Sequence, residues 1–523
     1  MKQLEVGFKD EYTDTRAEKL EEKISRLGYS IGMKVVDLYL LDGKLSKNDA
    51  QKVKNEIFVD SVTQRGRFSP LYSNFNWNWL VLVTFLPGVK DTVGERAKET
   101  IEEHLGKPYE GKVFSGKKYL LKGKLEKDEV QKIAAEIAND IIQQVTIIKR
   151  EDFEGNVFQL EPPKVESSHR PTVEKFDVAS MTEEELRTLS EERNLALSQD
   201  EMQTIKEYFR TPKVIEERQL VGRSSQMTDV ELEVLAQTQS EHCKHKIFNA
   251  KIHYEDKRAG KIEDIDSIFD TFIKTATEEI RGGKDWILSV FWDNAGVVGF
   301  TDDFVTVMKF ETHNSPSAKE PYGGAMTGIV GVYRDPMGTG KGCRIIAGSY
   351  GYCTPSPFYS GDLQPEIAPR RLLEGIVEGV RDGGNKSGIP TIYGYSQYDT
   401  SFLGKPLVYV GAIGLMPREI NGEASWKKDI EDGDFIVTIG GRVGKDGIHG
   451  VTQASQEFGE SITSQHVQIG DPYKQKKVHD FLVEARDEGL YRFIWDVGGG
   501  GLSSAVGETA RFSNGCELHL DRV

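Results

Sequence analysis

The sequence predicts an α+β protein of several domains. Three observations carry that reading: a tandem repeat near the N-terminus, strand-like and helix-like periodicities alternating down the chain, and a crowding of glycine into its second half. The chain has 523 residues, too many for one hydrophobic core at roughly 100–200 residues per domain. Hydrophobic residues make up 38% and charged residues 29%, the balance of a soluble globular protein. Lysine and arginine number 67 against 83 acidic residues, a net charge of −16. A general nucleic-acid binder would need a basic face, so no nucleic-acid partner is expected. No apolar run approaches the ~18 residues of a membrane span, and the densest, Trp79 to Leu86, is only strand-sized. The opening MKQLEVGFKDEY lacks the apolar segment of a signal peptide. Cys243, Cys343, Cys353 and Cys516 show no CxxC pairing, so neither a disulfide framework nor a zinc ribbon is expected. A cytoplasmic enzyme with no membrane partner is the expectation.

The repeat comes first. YLLDGKLSKNDAQKVKNEIFVDSVTQ (39–64) returns 80 residues later as YLLKGKLEKDEVQKIAAEIANDIIQQ (119–144), with thirteen of 26 positions identical. RLG ending at Gly28 is matched by HLG ending at Gly106. Each copy reads strand, helix, strand, helix. In the second copy Leu80–Phe85 is strand-like, Gly94–Leu105 helical and Val113–Leu121 a strand. Lys127–Gln143 has Val130, Ile133, Ile137 and Ile141 at helical spacing. The copies are expected to share one sheet over residues 1–155. A polar, proline-bearing linker, EPPKVESSHRPT (161–172), opens a connector over 156–225. It holds two short helices, the first with a capping box of Thr182 and Glu185 and the second carrying Met202, Ile205 and Phe209. From 226 to 418 a glycine-rich α+β domain is expected. It has a helix at Asp229–Thr238, strands at Ala295–Phe300 and Phe304–Phe310, a helix from Arg371 stopping at Gly383-Gly384, and a strand at Leu407–Leu415. A last domain, 419–523, would open on a strand at Phe435–Ile439 and close on one at Cys516–Leu520.

Four clusters can do chemistry. Ser240 to His245 places two histidines, a thiol and opposite charges within six residues. A metal reading is weak there, because positions i, i+1 and i+3 do not converge on one helix face. A nucleophilic Cys243 would need a base, and capping residues are the plainer reading. Next, Lys309 and Glu311 share a strand face at period two, followed by Thr312, His313, Asn314 and Ser315. A lysine beside a carboxylate suits a phosphate and its magnesium, and a histidine can move a proton near neutral pH. A salt-bridged strand edge would look the same. The third cluster, Pro321–Gly342, contains Gly323, Gly324, Arg334 and Asp335. Read as a glycine-rich loop, it fails the P-loop pattern, since Lys341 precedes Gly342, yet it offers backbone donors to a phosphate. The fourth pairs Gln468-Ile469-Gly470-Asp471-Pro472 with Trp495-Asp496-Val497 and four glycines, leading into a helix near Ser503. Such a run lets backbone approach an anion at a helix N-terminus, with Asp496 placed to hold a metal.

Together SEHCKHKIF, KFETHNSPSAKEPYGGAMTG, VYRDPMGTGKG, VQIGDPY and WDVGGGGLSSAVGE resemble the phosphoribosylformylglycinamidine synthase family, in its order and approximate spacing from residue 228 onward. The N-terminal repeat looks like two copies of the family's small bridging subunit. The resemblance implies an aminoimidazole-ribonucleotide-synthetase-like N-terminal domain and a partial C-terminal one. It implies ATP-dependent amidation of formylglycinamide ribonucleotide through an iminophosphate, with ammonia from glutamine supplied by a separate glutaminase. ATP and Mg²⁺ are the implied cofactors. His242 corresponds to the active-site histidine and His313 to the proton acceptor. Lys309, His245, Gly323 and Gly324 correspond to ATP-binding positions. Thr312, His313, Asn314, Ser315, Arg334 and Gln468 match substrate positions. Glu311 corresponds to one magnesium ligand, and Asp335 and Asp496 to ligands of another.

The chain departs from the family's pattern at several points. His245 stands where shorter members have tyrosine, and Ser315 where they have a second histidine. The family has two homologous synthetase halves and this chain resembles the first, so a second-half chain or a homo-oligomer is an expected partner. The family's glutamate-serine-glutamine segment would follow Val523. None of the four cysteines sits in a glutaminase elbow. Two other readings are another ATP-using synthetase of the same superfamily and a catalytically silent scaffold recruiting a glutaminase.

Overall fold

The computed structural model describes residues 2–153, 162–163, 172–363, 367–441, 444, 448–454 and 469–519. The chain forms two compact units, one built on Met1–His169 and the other on residues 170–461 and 465–523.

In the first unit, β1 (Lys2–Phe8), α1 (Thr15–Ser25), β2 (Gly32–Leu41), α2 (Lys47–Val53) and β3 (Gln64–Arg67) form one copy of the repeat. β4 (Trp79–Phe85), α3 (Thr92–Leu105), β5 (Val113–Lys122), α4 (Lys127–Ile137) and β6 (Gln143–Lys149) form the other. Each copy has one strand more than its sequence predicts. All six strands lie in one sheet, ordered β3-β1-β2-β5-β4-β6, with every neighbour antiparallel. β2 and β5 meet at its centre. There Asp37 faces Lys117, its counterpart 80 residues on, so a local two-fold passes between them. The matched glycines both take the left-handed conformation that stops a helix, Gly28 at φ +90° and Gly106 at φ +63°.

Ile24 of α1 with Val130 and Ile133 of α4 packs on Val35, Val81 and Leu121 of the sheet. Leu38, Leu40, Leu80 and Leu82 on the other face are covered by Leu71, Tyr72 and Trp77 from the connector between copies. A buried Lys118–Glu5 pair (2.5 Å) anchors that connector, because Glu5 also accepts the Leu71 amide at 2.8 Å. The expected helix Lys127–Gln143 stops at Ile137. Asn139 Oδ1 accepts the Ile141 amide at 3.1 Å, a local turn that competes with the helical ladder, and the chain re-enters the sheet as β6.

The second unit starts with a two-residue ladder between β7 (Lys175–Phe176) and β8 (Met227–Thr228). Between them run α5 (Glu183–Glu192), α6 (Gln199–Arg210) and α7 (Pro212–Leu220), followed by α8 (Asp229–Thr238) and α9 (Glu241–Lys244). The Thr182–Glu185 capping box forms, and Ser198–Glu201 and Thr228–Glu231 form two more. Met202 and Phe209 close a small core with Leu186 and Leu232. A hairpin of β9 (Lys251–Asp256) and β10 (Lys261–Asp266) and then α10 (Thr275–Arg281) lead to the second large sheet. Its strands are β11 (Ile287–Ser289), β12 (Gly296–Gly299), β13 (Phe304–Thr312), β14 (Arg344–Thr354), β15 (Thr391–Tyr398) and β16 (Leu407–Pro417). They are ordered β11-β12-β13-β16-β14-β15, with only β14 and β15 parallel.

α11 (Asn314–Lys319), α12 (Pro321–Met337) and α13 (Pro369–Ser387) follow or interrupt these strands. Ile329 and Tyr333 of α12 and Leu372 and Ile376 of α13 form one core with Val305, Val307, Val410 and Ala412 of the sheet. A short hairpin of β17 (Glu419–Ile420) and β18 (Glu423–Ala424) precedes α14 (Gly450–Ala454). α15 (Pro472–Asp487) packs on α12 and α13, and α16 (Gly501–Ala510) comes last.

Three further expectations are corrected. α13 runs through Gly383-Gly384 and ends at Ser387, where Gly388 turns left-handed at φ +66°. Within the helix, Gly383 leaves room for Ile329 of α12, which an added Cβ would meet at 2.9 Å. Phe435–Ile439 and the described part of Cys516–Leu520 are not strands. The glycine-rich run from Pro321 is the helix α12, not a loop.

Candidate functional site

β13 aims its odd-numbered side chains at α12. Val305 and Val307 are buried there, and Lys309 and Glu311 continue the same face toward the strand's end. Lys309 Nζ lies 2.8 Å from Asp335 Oδ2 on the last turn of α12 and donates to the Asn294 carbonyl at 3.4 Å. One residue before Asp335, Arg334 Nε donates to Asp496 Oδ2 at 2.9 Å. Three of the four clusters thus supply one constellation: Lys309 and Glu311, Arg334 and Asp335, and Asp496.

Its electrostatics follow from burial and crowding. Burial pushes the Asp335 carboxyl up to about 7, with Asp496 and Glu311 adding to the rise and Lys309 opposing it. Glu311 is raised by burial against the pull of Lys309 and Arg334. Burial would lower Lys309, but Asp335, Glu311 and Asp496 outweigh it and hold the ammonium above its ordinary value.

Glycines on α12 create the space. A Cβ at Gly331 would stand 3.0 Å from Glu311 Oε1, and one at Gly328 only 2.8 Å from His313 Cβ. Gly324 likewise lets the helix approach the Pro316–Ser317 backbone. The glycines are therefore a close-packing stripe at i, i+4 and i+7. The amides of Gly323 and Gly324 are already bonded, the first to the Glu320 side chain and the second to the Glu320 carbonyl at 2.8 Å.

His313 caps α11 between these elements. Its Nδ1 is sealed from solvent and has no hydrogen-bond partner, and burial drops the imidazole to about 4 despite a backbone bond with Gly324. Asn314 ties strand to helix, donating to Thr312 Oγ1 at 3.1 Å and accepting the Val408 amide at 2.9 Å. Ser315 is buried. Thr312 has the parity of Phe310 and lies on the sheet face opposite Lys309 and Glu311. His242 sits on α9 with its ring near Gly499, where an added Cβ would stand 3.2 Å from Nδ1. Partial withdrawal from water, then the charges of His245 and Lys309, lower it. His245 takes a left-handed φ of +52° at the end of α9. α16 begins at Gly501, two residues before the expected start, and Gly500 caps it at φ +81°. Gln468 lies outside the described residues.

Sequence reasoning missed a second layer beneath the cluster. Lys428 Nζ and Asp293 Oδ1 are 2.6 Å apart, both side chains fully buried. Lys428 also donates to the Gly338 carbonyl at 2.8 Å and sits 3.6 Å from the Trp495 ring centroid. The only sequence signal was an acid-amide pair after an aromatic run, Phe291-Trp292-Asp293-Asn294. Lys428 stands in a lysine-rich turn that carries no pattern. Among the described residues, no three histidine, cysteine or acidic side chains stand close enough together to form a ready metal-holding group. No helix among them is long and apolar enough to cross a membrane.

Parts of the chain are similar to known proteins. Residues 292–416 match the N-terminal domain, and 431–523 the C-terminal domain, of AIR synthase related proteins. Residues 186–246 match the formylglycinamide ribonucleotide amidotransferase linker domain. The linker match thus precedes the matches to the two AIR synthase related domains along the chain. The chain is also similar to phosphoribosylformylglycinamidine synthase subunit PurL. The Thermoplasma acidophilum subunit is 34% identical over 346 residues, 65% of this chain and 40% of that protein. The Thermococcus sibiricus subunit is 40% identical over 235 residues, 44% of this chain and 31% of that protein. The solved Thermotoga maritima PurL complexed with FGAR is 30% identical, with a TM-score of 0.40 over 57% of this chain and 41% of that one. The chain spans about two-fifths or less of the length of these curated relatives.

Proposed function

We propose that this chain supplies catalytic machinery to an ATP-dependent C–N ligase that converts formylglycinamide ribonucleotide to formylglycinamidine ribonucleotide. The observation that best supports it is the partly buried constellation of Lys309, Glu311, Arg334, Asp335 and Asp496. In the proposed reaction the glycinamide carbonyl oxygen attacks the γ-phosphorus of ATP, the amide nitrogen gives up its proton and ADP leaves. Ammonia then adds to the imidate carbon of the iminophosphate and phosphate leaves. Both steps load negative charge onto oxygens that need fixed positive partners.

The residues fit magnesium. Three carboxylates, Glu311, Asp335 and Asp496, face two cations, Lys309 and Arg334, which leaves hard-oxygen donors in excess of the fixed positive charge. Glu311 would hold one ion, and Asp335 with Asp496 another. Bound there, magnesium would neutralise charge on the phosphoryl oxygens. Lys309 orients the nucleotide phosphates. Arg334 is a guanidinium suited to the ribonucleotide phosphate, with Asn314, Ser315 and Gln468 as further substrate positions, whereas Thr312 faces away from the cluster. His313, with its unpartnered Nδ1, accepts the proton released as ammonia adds. His242, beside Gly499, completes the reacting side and His245 flanks the nucleotide, while Gly323 and Gly324, their amides bonded to Glu320, serve the packing of α12.

In this reading residues 1–155 serve as a bridging-subunit-like pair, 156–225 as linker, 226–418 as the synthetase N-terminal domain and 419–523 as part of its C-terminal domain. A glutaminase supplies the ammonia, and a second-half synthetase chain or a second copy completes the enzyme, acting in the cytoplasm. The test is ADP release from ATP, requiring both formylglycinamide ribonucleotide and ammonia, by the chain reconstituted with a second-half polypeptide. Lys309→Met should abolish it. A folded, reconstituted complex that releases no substrate-dependent ADP would sink the proposal.

A further inference from the structure

Lys428 and Asp293 touch neither of the ion pairs in the site, yet they join every segment that carries them. Lys428 Nζ directs its protons to Asp293 Oδ1 (2.6 Å), to the Gly338 carbonyl (2.8 Å) and toward the face of Trp495 (3.6 Å to the centroid). Asp293 Oδ2 accepts the Gly340 amide at 2.8 Å. Gly338 ends α12 three residues after Asp335, and a Cβ on it would come within 2.8 Å of the Asp496 backbone nitrogen. Asn294, next to Asp293, gives its carbonyl to Lys309. Trp495 precedes Asp496. One buried ammonium therefore touches the end of the helix bearing Arg334 and Asp335 and the residue that precedes Asp496, while its partner adjoins the carbonyl that steadies Lys309.

A buried ion pair is a poor source of stability, because desolvation offsets most of its Coulomb gain. A hydrophobic pair would fill the same space at no stability cost. Fixing where several chain segments meet is the role such a pair performs that apolar packing does not. We infer that Asp293 and Lys428 are positioning residues that set the spacing of Asp335 and Asp496, and so the affinity of that carboxylate pair for a divalent cation with nucleotide. The inference rests on the reading of the site given above.

The test compares the parent chain with Lys428→Arg and with the neutral double variant Asp293→Asn/Lys428→Met. The double variant avoids stranding a lone buried charge. Each protein is measured for thermal unfolding, for Mn²⁺ binding in the presence of ATP by electron paramagnetic resonance, and for amide exchange across Trp495–Gly501. The double variant should melt near the parent, bind Mn²⁺ about tenfold or more weakly and exchange faster at Trp495–Gly501. Lys428→Arg should recover most of the affinity, since its guanidinium can still reach Asp293 and Gly338. Parental exchange and parental Mn²⁺ affinity in a stable double variant would overturn the inference. A parent chain that binds no Mn²⁺ with ATP would count against the proposed function, and exchange at Trp495–Gly501 would still decide whether the pair positions Asp496.

Discussion

Gly328 and Gly331 lie on the face of α12 that meets β13, and what each would strike with a methyl group differs in kind. At Gly331 the obstacle is Glu311 Oε1, the far end of a flexible side chain. At Gly328 it is His313 Cβ, which is fixed to its backbone. Alanine in a helix interior gains about 1 kcal/mol over glycine. Gly331→Ala should therefore keep or slightly raise the melting temperature while displacing Glu311, and substrate-dependent ADP release should fall about tenfold or more. Gly328→Ala should lose about 1–3 kcal/mol by overpacking against His313. Calorimetry and turnover on both variants check this. Equal stability losses at the two positions would show that the stripe serves packing alone.

At the scale of elements, α8 is held at its start by a carboxylate with several partners. Glu231 accepts the Thr228 amide at 2.9 Å and pairs with Arg218 (2.6 Å) and Arg223 (2.8 Å). Burial works against its charge, but Arg218, Thr228 and Arg223 outweigh it and hold the carboxyl at about 2, below its ordinary 4.5. The stability this confers is complete above pH 4.5 and is lost as pH falls through about 2. Glu231→Gln should cost about 1 kcal/mol at neutral pH. The gap in melting temperature between parent and variant should shrink toward zero on acidification from pH 4.5 to 2, and a gap independent of pH would refute the assignment.

Such caps were legible because their signal is local: Thr182 and Glu185 lie three residues apart, and the helix follows. The same holds for Lys309 and Glu311, whose shared face is a consequence of strand period. The glycine-rich run from Pro321 was misread because composition alone cannot separate a loop that approaches an anion from a helix that approaches a strand. Its apolar members Ile329 and Tyr333 are spaced for a helix, and Gly324, Gly328 and Gly331 mark where α11 and the end of β13 come close. Asp293 and Lys428, 135 residues apart, leave no periodic trace at all. Their pairing exists only once the sheet and the segment after it are in place.

For the whole molecule, the two-fold at Asp37 and Lys117 has a consequence for folding. Strands from the first unit and from the second share no sheet among the described residues. The first unit also encloses its own clusters, two on the helical face of its sheet and one on the other. A fragment of residues 1–155 should therefore fold alone. The full chain should unfold in at least two calorimetric steps, one coinciding with the fragment's melting and carrying about 100 kcal/mol of enthalpy. A single repeat should not fold. Cutting near residue 75 strips β2 of its ten-residue pairing with β5 and leaves Ile24 and Val35 without Val81, Leu121 and Ile133. It also exposes the edge of a strand meant for the middle of a sheet, which invites association. Circular dichroism and sedimentation should find the 1–75 fragment either unfolded or dimerised through β2, a second copy restoring the missing half. A stable folded monomer of that fragment would show that the copies are separate domains and that the shared sheet is not what holds them.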